Sequence, residues 1–365
     1  MTETKTETET AAGTGSGAGT ELESGLESER KTGSEAARNT SSAQPVRVAI
    51  TGAAGYIGSR IVAQLQSERP DWELTALDNF YRGSLREIGS VTVEHVDVRN
   101  RDRLWDALEG ADIVMHLAAI SGIEDCTEHP ELTYDVNVTG TGHVVRFCRR
   151  TNTGLIFPTS MAVVGDPQEF PITADHPRDP LNWYGRTKVI GERLIDELAT
   201  DSFPAHHLLK SNLYGTHTVD GRVVTKATVL NFFAERALEN ESLPVYEPGT
   251  QSRNFVHVKD VARAYIHSAD VLLEDLAEGS TGIETFTIAS DEDPSVLDIA
   301  ETVRENAAAQ AGFDASIELT ENPRGNETLV DDFPVETTRA HEVLGWDPIE
   351  TVDETIRSLI ETNAR

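Results

Sequence analysis

The sequence predicts an α/β fold, a doubly wound parallel sheet with helices on both faces and a smaller C-terminal lobe. Three observations predict it. From Val46 onward, short apolar runs alternate with amphipathic helical patterns. A glycine loop, Thr51-Gly-Ala-Ala-Gly-Tyr-Ile-Gly58, joins the first apolar run to the first helical pattern. An acidic residue, Asp78, closes the second apolar run, 20 positions beyond Gly58.

Residues 1–44 come first and stand apart. Thr, Glu, Gly, Ser and Ala dominate them. So little apolar surface cannot offset the entropy of ordering, and this acidic tail is expected to be disordered. It lacks the basic start and apolar core of a signal peptide. Val46–Thr51 then reads as a strand, and Ile57, Ile61, Val62 and Leu65 mark one face of the helix after the loop. Strand, glycine turn and helix in that order make a phosphate-binding corner. Gly52 permits the tight turn, Gly55 lets backbone approach a pyrophosphate, and Gly58 lets helix pack close to strand. The N–H groups and helix dipole there attract an anion, with Tyr56 and Ile57 in the first turn. The spacing is GxxGxxG, which an ordinary βα turn also uses, and Asp78 separates the two readings. It ends the strand Glu73–Leu77 where a carboxylate meets the adenosine ribose hydroxyls. A carboxylate repels a 2′-phosphate, so NAD is expected rather than NADP.

Further strands are expected at Val91–His95, Ile113–Leu117, Gly154–Thr159 and His206–Ser211, with helices around Asp102–Leu108 and Lys188–Leu198. Residues 45–211 are therefore read as the dinucleotide domain. After about residue 212, Pro, Gly and short segments alternate up to a last helix near Val352–Glu361. Residues 212–365 are read as a substrate-binding lobe intercalated with the end of the main sheet.

Composition narrows the function classes. Lys and Arg total 31 against 62 Asp and Glu, a net charge of −31, with arginine supplying most of the positive charge. Such a surface repels nucleic acid and anionic membranes. The excess runs through the whole chain and resembles proteins of salt-accumulating archaea, where salt screens self-repulsion. A generic acidic surface is the plainer alternative. No run of about 18 apolar residues exists, so no membrane span is expected. Cys126 and Cys148 alone give neither a disulfide framework nor zinc spacing, which fits a reducing cytoplasm.

The reacting centre is read from Tyr184-Gly-Arg-Thr-Lys188. At i and i+4, Tyr184 and Lys188 share one helical face. A phenol with a reference pKa of about 10 is a poor base, and a neighbouring ammonium favours its phenolate. A surface Tyr–Lys pair would look the same, but a lysine kept where arginine is the habit suggests a role arginine cannot fill. Ser160 follows the strand ending at Pro158-Thr159, at the carboxyl edge where α/β ligands bind. Its hydroxyl can both donate to and accept from a reacting oxygen, and Thr159 could share that role. Turn chemistry also favours Ser and Thr there.

Together these motifs resemble the extended short-chain dehydrogenase/reductase family, the NAD-dependent epimerase/dehydratases. The residues carrying the likeness are Thr51–Gly58, Asp78-Asn79-Phe80, Asp97-Val98, His116–Ala119, Asn137–Thr141, Thr159–Gly165 and Tyr184–Lys188, over about residues 45–360. The resemblance implies a Rossmann-like fold and bound NAD. Asn79 would then follow Asp78 in the cofactor site, Asp97 and Val98 would border the adenine, and Leu117, Ala118 and Ala119 would lie along the cofactor. Asn137 would order the active-site helix, and Tyr184, Lys188 and Ser160 would be the catalytic set. A homodimer through helices near 102–108 and 188–198 is implied on the same ground.

For the substrate, Asn212-Leu213-Tyr214-Gly215 resembles a segment whose Asn approaches the substrate diphosphate. The family's arginine three positions earlier is replaced by Leu209, with Lys210 beside it. Gln251-Ser-Arg253-Asn254-Phe255-Val256-His257-Val258 resembles the run whose arginine, here Arg253, binds a nucleotide-sugar diphosphate, with Asn254 replacing the usual Asp. Arg324-Gly325 with Glu327 resembles a late segment that closes over the nucleotide. Leu344-Gly345-Trp346-Asp347-Pro348 matches a structural terminal signature. An acidic surface also offers each arginine a plain ion pair.

Where sugar dehydratases of the family carry Asp-Glu, and decarboxylases a Glu, this chain has Met161-Ala162. Neither can shuttle a proton at C5 or C6. The 4-epimerase branch is the closest ungapped match, across His116–Thr141, although Ser121 stands where that branch often carries a lysine. Reversible oxidation at C4 of a nucleotide-diphosphate sugar is therefore the expected reaction. A dehydrogenase or reductase of a nucleotide sugar or small alcohol is the alternative, and a silent NAD-binding regulator is a third.

Overall fold

In a computed structural model of the chain, eight strands form one sheet ordered β13-β7-β6-β5-β1-β2-β4-β3. The structure describes residues 44–322 and 330–363. The disorder expected of the N-terminal tail (Gln44 apart) and the reading of Arg324, Gly325 and Glu327 lie outside the described residues. The strands are β1 (Arg47–Thr51), β2 (Glu73–Asp78), β3 (Glu87–Ile88), β4 (Val91–His95), β5 (Ile113–His116), β6 (Gly154–Ser160), β7 (Pro204–Lys210) and β13 (Gly282–Ile288). All neighbours pair in parallel except β3 with β4. The expected strands are all present, with ends shifted by one or two residues.

Parallel strands covered on both faces need apolar side chains in both directions. β5 reads Ile-Val-Met-His and is wholly buried, and β7 is buried along its whole length. On one side, α1 (Tyr56–Glu68) and α8 (Val258–Glu278) enclose a core that includes Ile50, Ile61, Leu65, Met115, Tyr265 and Leu272. On the other, α2 (Arg101–Leu108), α5 (Thr141–Thr151) and α6 (Trp183–Ala199) cover Val114, Val144, Phe147, Phe157 and Ile195. Strand order departs in both directions from β1. The crevice beyond the carboxyl ends of β1 and β5 is the topological switch point where such sheets bind ligands.

Two short helices, α3 (Ile123–Glu128) and α4 (Pro130–Tyr134), follow β5. A π-helical turn, Asp135–Gly140, joins α4 to α5. The later residues are more regular than expected. β8 (Asn212–Tyr214), the hairpin β9 (His217–Val219) and β10 (Arg222–Val224), α7 (Val229–Leu238), β11 (Leu243–Tyr246) and β12 (Phe255–His257) precede α8. After β13 come α9 (Val296–Ala311), β14 (Ile317–Thr320), α10 (Thr338–Leu344) and α11 (Val352–Asn363). Three helices, α7, α8 and α9, stand where the sequence showed only loosened order. α7, α9 and α11 share a second core built on Phe233, Phe255, Ile299, Val303 and Ile356. β13 carries the chain back to the main sheet, paired to β7 from Gly282 to Ile288.

Candidate active site

The glycine loop shapes the crevice through close backbone approach. Gly52 has φ of +73°, and a Cβ there would lie 2.7 Å from the Ala118 nitrogen. A Cβ on Gly58 would lie 2.2 Å from the Gly52 carbonyl oxygen, so α1 cannot sit this close to the turn with any other residue. Leu117 and Ala118, expected along the cofactor, therefore flank the loop. Gly55 caps α1 without any side-chain hydrogen bond. The first-turn N–H groups, including those of Tyr56 and Ile57, thus keep their donor capacity for an anion. The Tyr56 hydroxyl is committed elsewhere. It donates to the carbonyls of Tyr214 at 2.9 Å and Gly215 at 2.6 Å, tying the loop to the Asn-Leu-Tyr-Gly segment.

Asp78 ends β2 and is 8% exposed. Its two oxygens accept from the Ala54 and Phe80 nitrogens at 3.0 and 2.6 Å. Burial pushes its pKa up, and these N–H donors oppose that. Each oxygen keeps a lone pair for a ribose hydroxyl. Asp97 is held by a bidentate contact with Arg99 and by Asn79 at 3.3 Å, which lowers its pKa to about 2. Val98 is buried, and its carbonyl lies 2.9 Å from His143 Nδ1. An uncapped helix start facing a strand-end carboxylate is a donor set that fits the pyrophosphate and ribose of NAD.

One hydrogen-bond chain, invisible in the sequence, links the loop to the active-site helix. The Thr51 hydroxyl receives from the Ala118 N–H at 3.2 Å and lies 2.8 Å from His116 Nδ1. On the other side of the ring, Nε2 lies 3.1 Å from the Thr141 hydroxyl, which itself donates to the Asn137 carbonyl at 2.6 Å. With the Thr141 proton spent on Asn137, Nε2 carries the ring proton and Nδ1 accepts from Thr51. Burial lowers the His116 pKa to about 3, so the ring stays neutral.

Asn137 lies on the π-helical turn and is 3% exposed. Its side-chain oxygen accepts from the Ile120 nitrogen at 2.8 Å. Its amide donates to the Ile120 carbonyl and the Thr187 hydroxyl, both at 3.0 Å. Thr187 is on α6, between Tyr184 and Lys188, and its hydroxyl donates to the Tyr184 carbonyl. The extra backbone residue of a π turn aims one side chain where a plain α-helix would not.

Asn182 caps α6, accepting from the Gly185 nitrogen at 2.9 Å. Tyr184 and Lys188 thereby open the helix facing Ser160. Tyr184 is half-buried, and burial pushes its pKa up to about 12 while a hydrogen bond with Ser160 pulls it down. Lys188 is 4% exposed. Burial lowers its pKa to about 8, and its Nζ sits 4.5 Å from the centre of the Phe157 ring. Ser160 is the last residue of β6 rather than the first after it, and its hydroxyl is half-buried at the site. Thr159, one step back, faces the opposite side. It is fully buried, with its hydroxyl unpartnered among the described residues.

The substrate motifs meet as strands. β8 pairs with β12, setting Asn212 against Phe255 and Tyr214 against His257. The Asn212 amide donates to the Asn254 carbonyl at 3.0 Å, and Asn254 donates to Ser290. Arg253 is half-buried and donates to the Ser252 carbonyl. Ser121, beyond β5, lies 3.4 Å from the Lys226 Nζ. Lys210 ends β7 with its Nζ 2.6 Å from the Thr159 carbonyl. The sequence reading left His116, Thr187 and Lys226 unassigned and gave Lys210 no role. For the lysines the signal was their scarcity in a chain rich in arginine. For His116 and Thr187 no sequence signal marks the contact. Trp346 of the terminal signature is 1% exposed, and its indole donates to the Asp260 carbonyl, locking α8.

The family profile described as the NAD dependent epimerase/dehydratase family matches residues 48–277. A putative UDP-glucose 4-epimerase of Methanocaldococcus jannaschii is 32% identical over 224 residues, 60% of this chain and 71% of that protein. UDP-glucuronic acid decarboxylase 3 of Arabidopsis thaliana is 28% identical over 329 residues, 85% of this chain and 87% of that one. The crystal structure of UDP-glucose 4-epimerase from Brucella ovis in complex with NAD superposes with a TM-score of 0.73 at 25% identity, covering 87% of this chain and 98% of that one. With the profile spanning well over half of the sequence, the glycine corner, Asp78 and the Tyr184–Lys188 helix have a common explanation: the chain belongs to the NAD-dependent epimerase/dehydratase family.

Proposed function

We propose that this chain epimerises nucleotide-diphosphate sugars at C4. The observation that carries the reading is the turn after Ser160. Met161–Val163 form a single 3-10 turn between β6 and α6, and Gly185 packs against it so closely that a Cβ would lie 2.4 Å from the Ala162 carbonyl. Met161 and Ala162 therefore occupy the place beside Tyr184 where elimination or decarboxylation would need a carboxyl group.

NAD, when bound, accepts and returns the C4 hydride and adds positive charge near Tyr184. In the chain alone, Tyr184 is a phenol at neutral pH, so it needs that charge and Lys188 to act as a base. Tyr184 then takes the C4 hydroxyl proton, directly or through Ser160, and Lys188 steadies the phenolate. Asn212 and Arg253 anchor the diphosphate while the 4-keto sugar turns and receives hydride on its other face. Only the anchor needs tight binding, so the sugar pocket stays permissive. Asp78 and the glycine loop hold the cofactor, while Arg324 closes over the nucleotide.

A homodimer through α2 and α6, a cytoplasmic location and a high-salt environment belong to the same proposal. Supporting them are the exposed Ile190 on α6, two buried free cysteines and the net charge of −31. Among the described residues no helix is long and apolar enough to cross a membrane.

The test incubates protein in concentrated KCl with UDP-, dTDP- and GDP-sugars and reads C4 configuration by NMR. Inversion without net NADH is expected, and Tyr184→Phe should abolish it while NAD stays bound. No inversion with any sugar, net NADH, or a UDP-pentose formed from UDP-glucuronate would overturn the proposal.

A further inference from the structure

Three of the six lysines in this chain meet at the carboxyl edge of the sheet. Lys188 belongs to the Tyr184 helix. Lys210 closes β7 opposite Ser160 in the β6–β7 register, is 6% exposed, and spends one N–H on the Thr159 carbonyl at 2.6 Å. Its charged neighbours are both cations, Lys188 and Lys226, and together with burial they hold its pKa well below the usual lysine range. Lys226 arrives from the segment between β10 and α7, is exposed, and reaches the Ser121 hydroxyl at 3.4 Å. Among the described residues no carboxylate hydrogen-bonds or ion-pairs with Lys210 or Lys226.

A buried cation without a counter-charge is costly, and it persists where something supplies the missing charge. In a chain of net charge −31, acidic side chains are abundant, yet none is placed here. The charge is left for a ligand. The diphosphate is one anion, but its proposed anchors, Asn212 and Arg253, belong to β8 and the segment before β12. Lys210 and Lys226 stand instead with Ser160 and Ser121, beside the reacting hydroxyls.

We propose that the sugar ring itself carries a carboxylate, so that the substrate is a nucleoside-diphosphate hexuronate whose C6 carboxylate is held by Lys226, with Lys210 behind it. This rests on the C4-epimerase reading and narrows its substrate class. A lysine–carboxylate contact is charge-assisted and strengthens as the site closes off water.

The experiment is calorimetric titration of UDP-glucuronate, UDP-glucose and UDP into NAD-loaded protein in which Tyr184→Phe stops turnover, at one fixed KCl concentration, with and without Lys226→Met. The expected result is at least ~10-fold tighter binding of UDP-glucuronate than of UDP-glucose, with that preference lost in Lys226→Met and kept in Lys226→Arg. Because Lys226 is exposed, its replacement should leave the thermal unfolding midpoint in place. Equal weakening of all three ligands by Lys226→Met would show that the cluster reads the diphosphate and would overturn the proposal. So would wild-type preference for UDP-glucose. Failure of the parent reading looks different, with the affinity pattern intact but no C4 inversion of any sugar.

Discussion

Replacing Asn137 with alanine tests the link between the π-helical turn and the active-site helix. The side chain is 3% exposed and satisfies both backbone groups of Ile120, itself 5% exposed, at 2.8 and 3.0 Å. Alanine leaves that N–H and that carbonyl buried without partners, at about 1–3 kcal/mol each. The Thr187 hydroxyl loses only a donor to itself, because its own proton stays on the Tyr184 carbonyl. The expected loss is therefore about 2–6 kcal/mol. Chains of this size have urea m-values at or above roughly 3 kcal/mol/M, so the unfolding midpoint should fall by about 1–2 M. Circular dichroism in urea measures it. Asn137→Asp is the informative companion. A carboxylate can still accept from the Ile120 nitrogen but cannot donate to its carbonyl, so it should recover at most part of the loss. Turnover should drop in both variants, because Thr187 fixes the helical turn carrying Tyr184 and Lys188. A midpoint shift under about 0.3 M with undiminished turnover would refute this account of the turn.

Two other expectations follow from charge. Lys188 has a folded pKa of about 8 against 10.5 for a free lysine, so the unfolded chain binds more protons between those values. Unfolding free energy should therefore rise with pH from about 8 to 10.5, by up to about 3 kcal/mol from this residue, and Lys188→Met should remove that share of the rise. Parallel pH curves for the two proteins would count against the shift. The net charge of −31 predicts a melting temperature that climbs as KCl increases from about 0.1 M to above 1 M, where the screening length falls from about 10 to 3 Å. A flat or falling midpoint would sink the high-salt reading.

The first half of the fold was legible because its signals are local. Parallel strands buried on both faces read as short apolar runs, and the glycine corner needs residues whose side chains would collide with their own neighbours, as Gly58 would with Gly52. The second half was read as loosened order although α8 runs from Val258 to Glu278 and buries Val261, Tyr265 and Leu272. That helix is buried on a broad face against the sheet and locked by Trp346 from far along the chain, so its apolar pattern carries no clean stripe. The boundary of Ser160 was missed by one residue, because β6 extends to meet Lys210 across the register.

The sequence by itself determined that this chain has a dinucleotide corner with an acidic second strand end, a Tyr184–Lys188 pair on one helical face, and no acid at Met161-Ala162. These follow from spacing within an element, where backbone geometry fixes which residues are neighbours. Tertiary structure alone decided which distant groups touch. His116 sits between Thr51 and Thr141, Asn137 reaches Thr187, and Lys226 crosses to Ser121 over 105 positions of sequence. No local rule brings such residues together. Their contacts arise only when packed elements set the distance, and burial then sets the charge, leaving His116 neutral and pushing Tyr184 and Lys188 to about 12 and about 8.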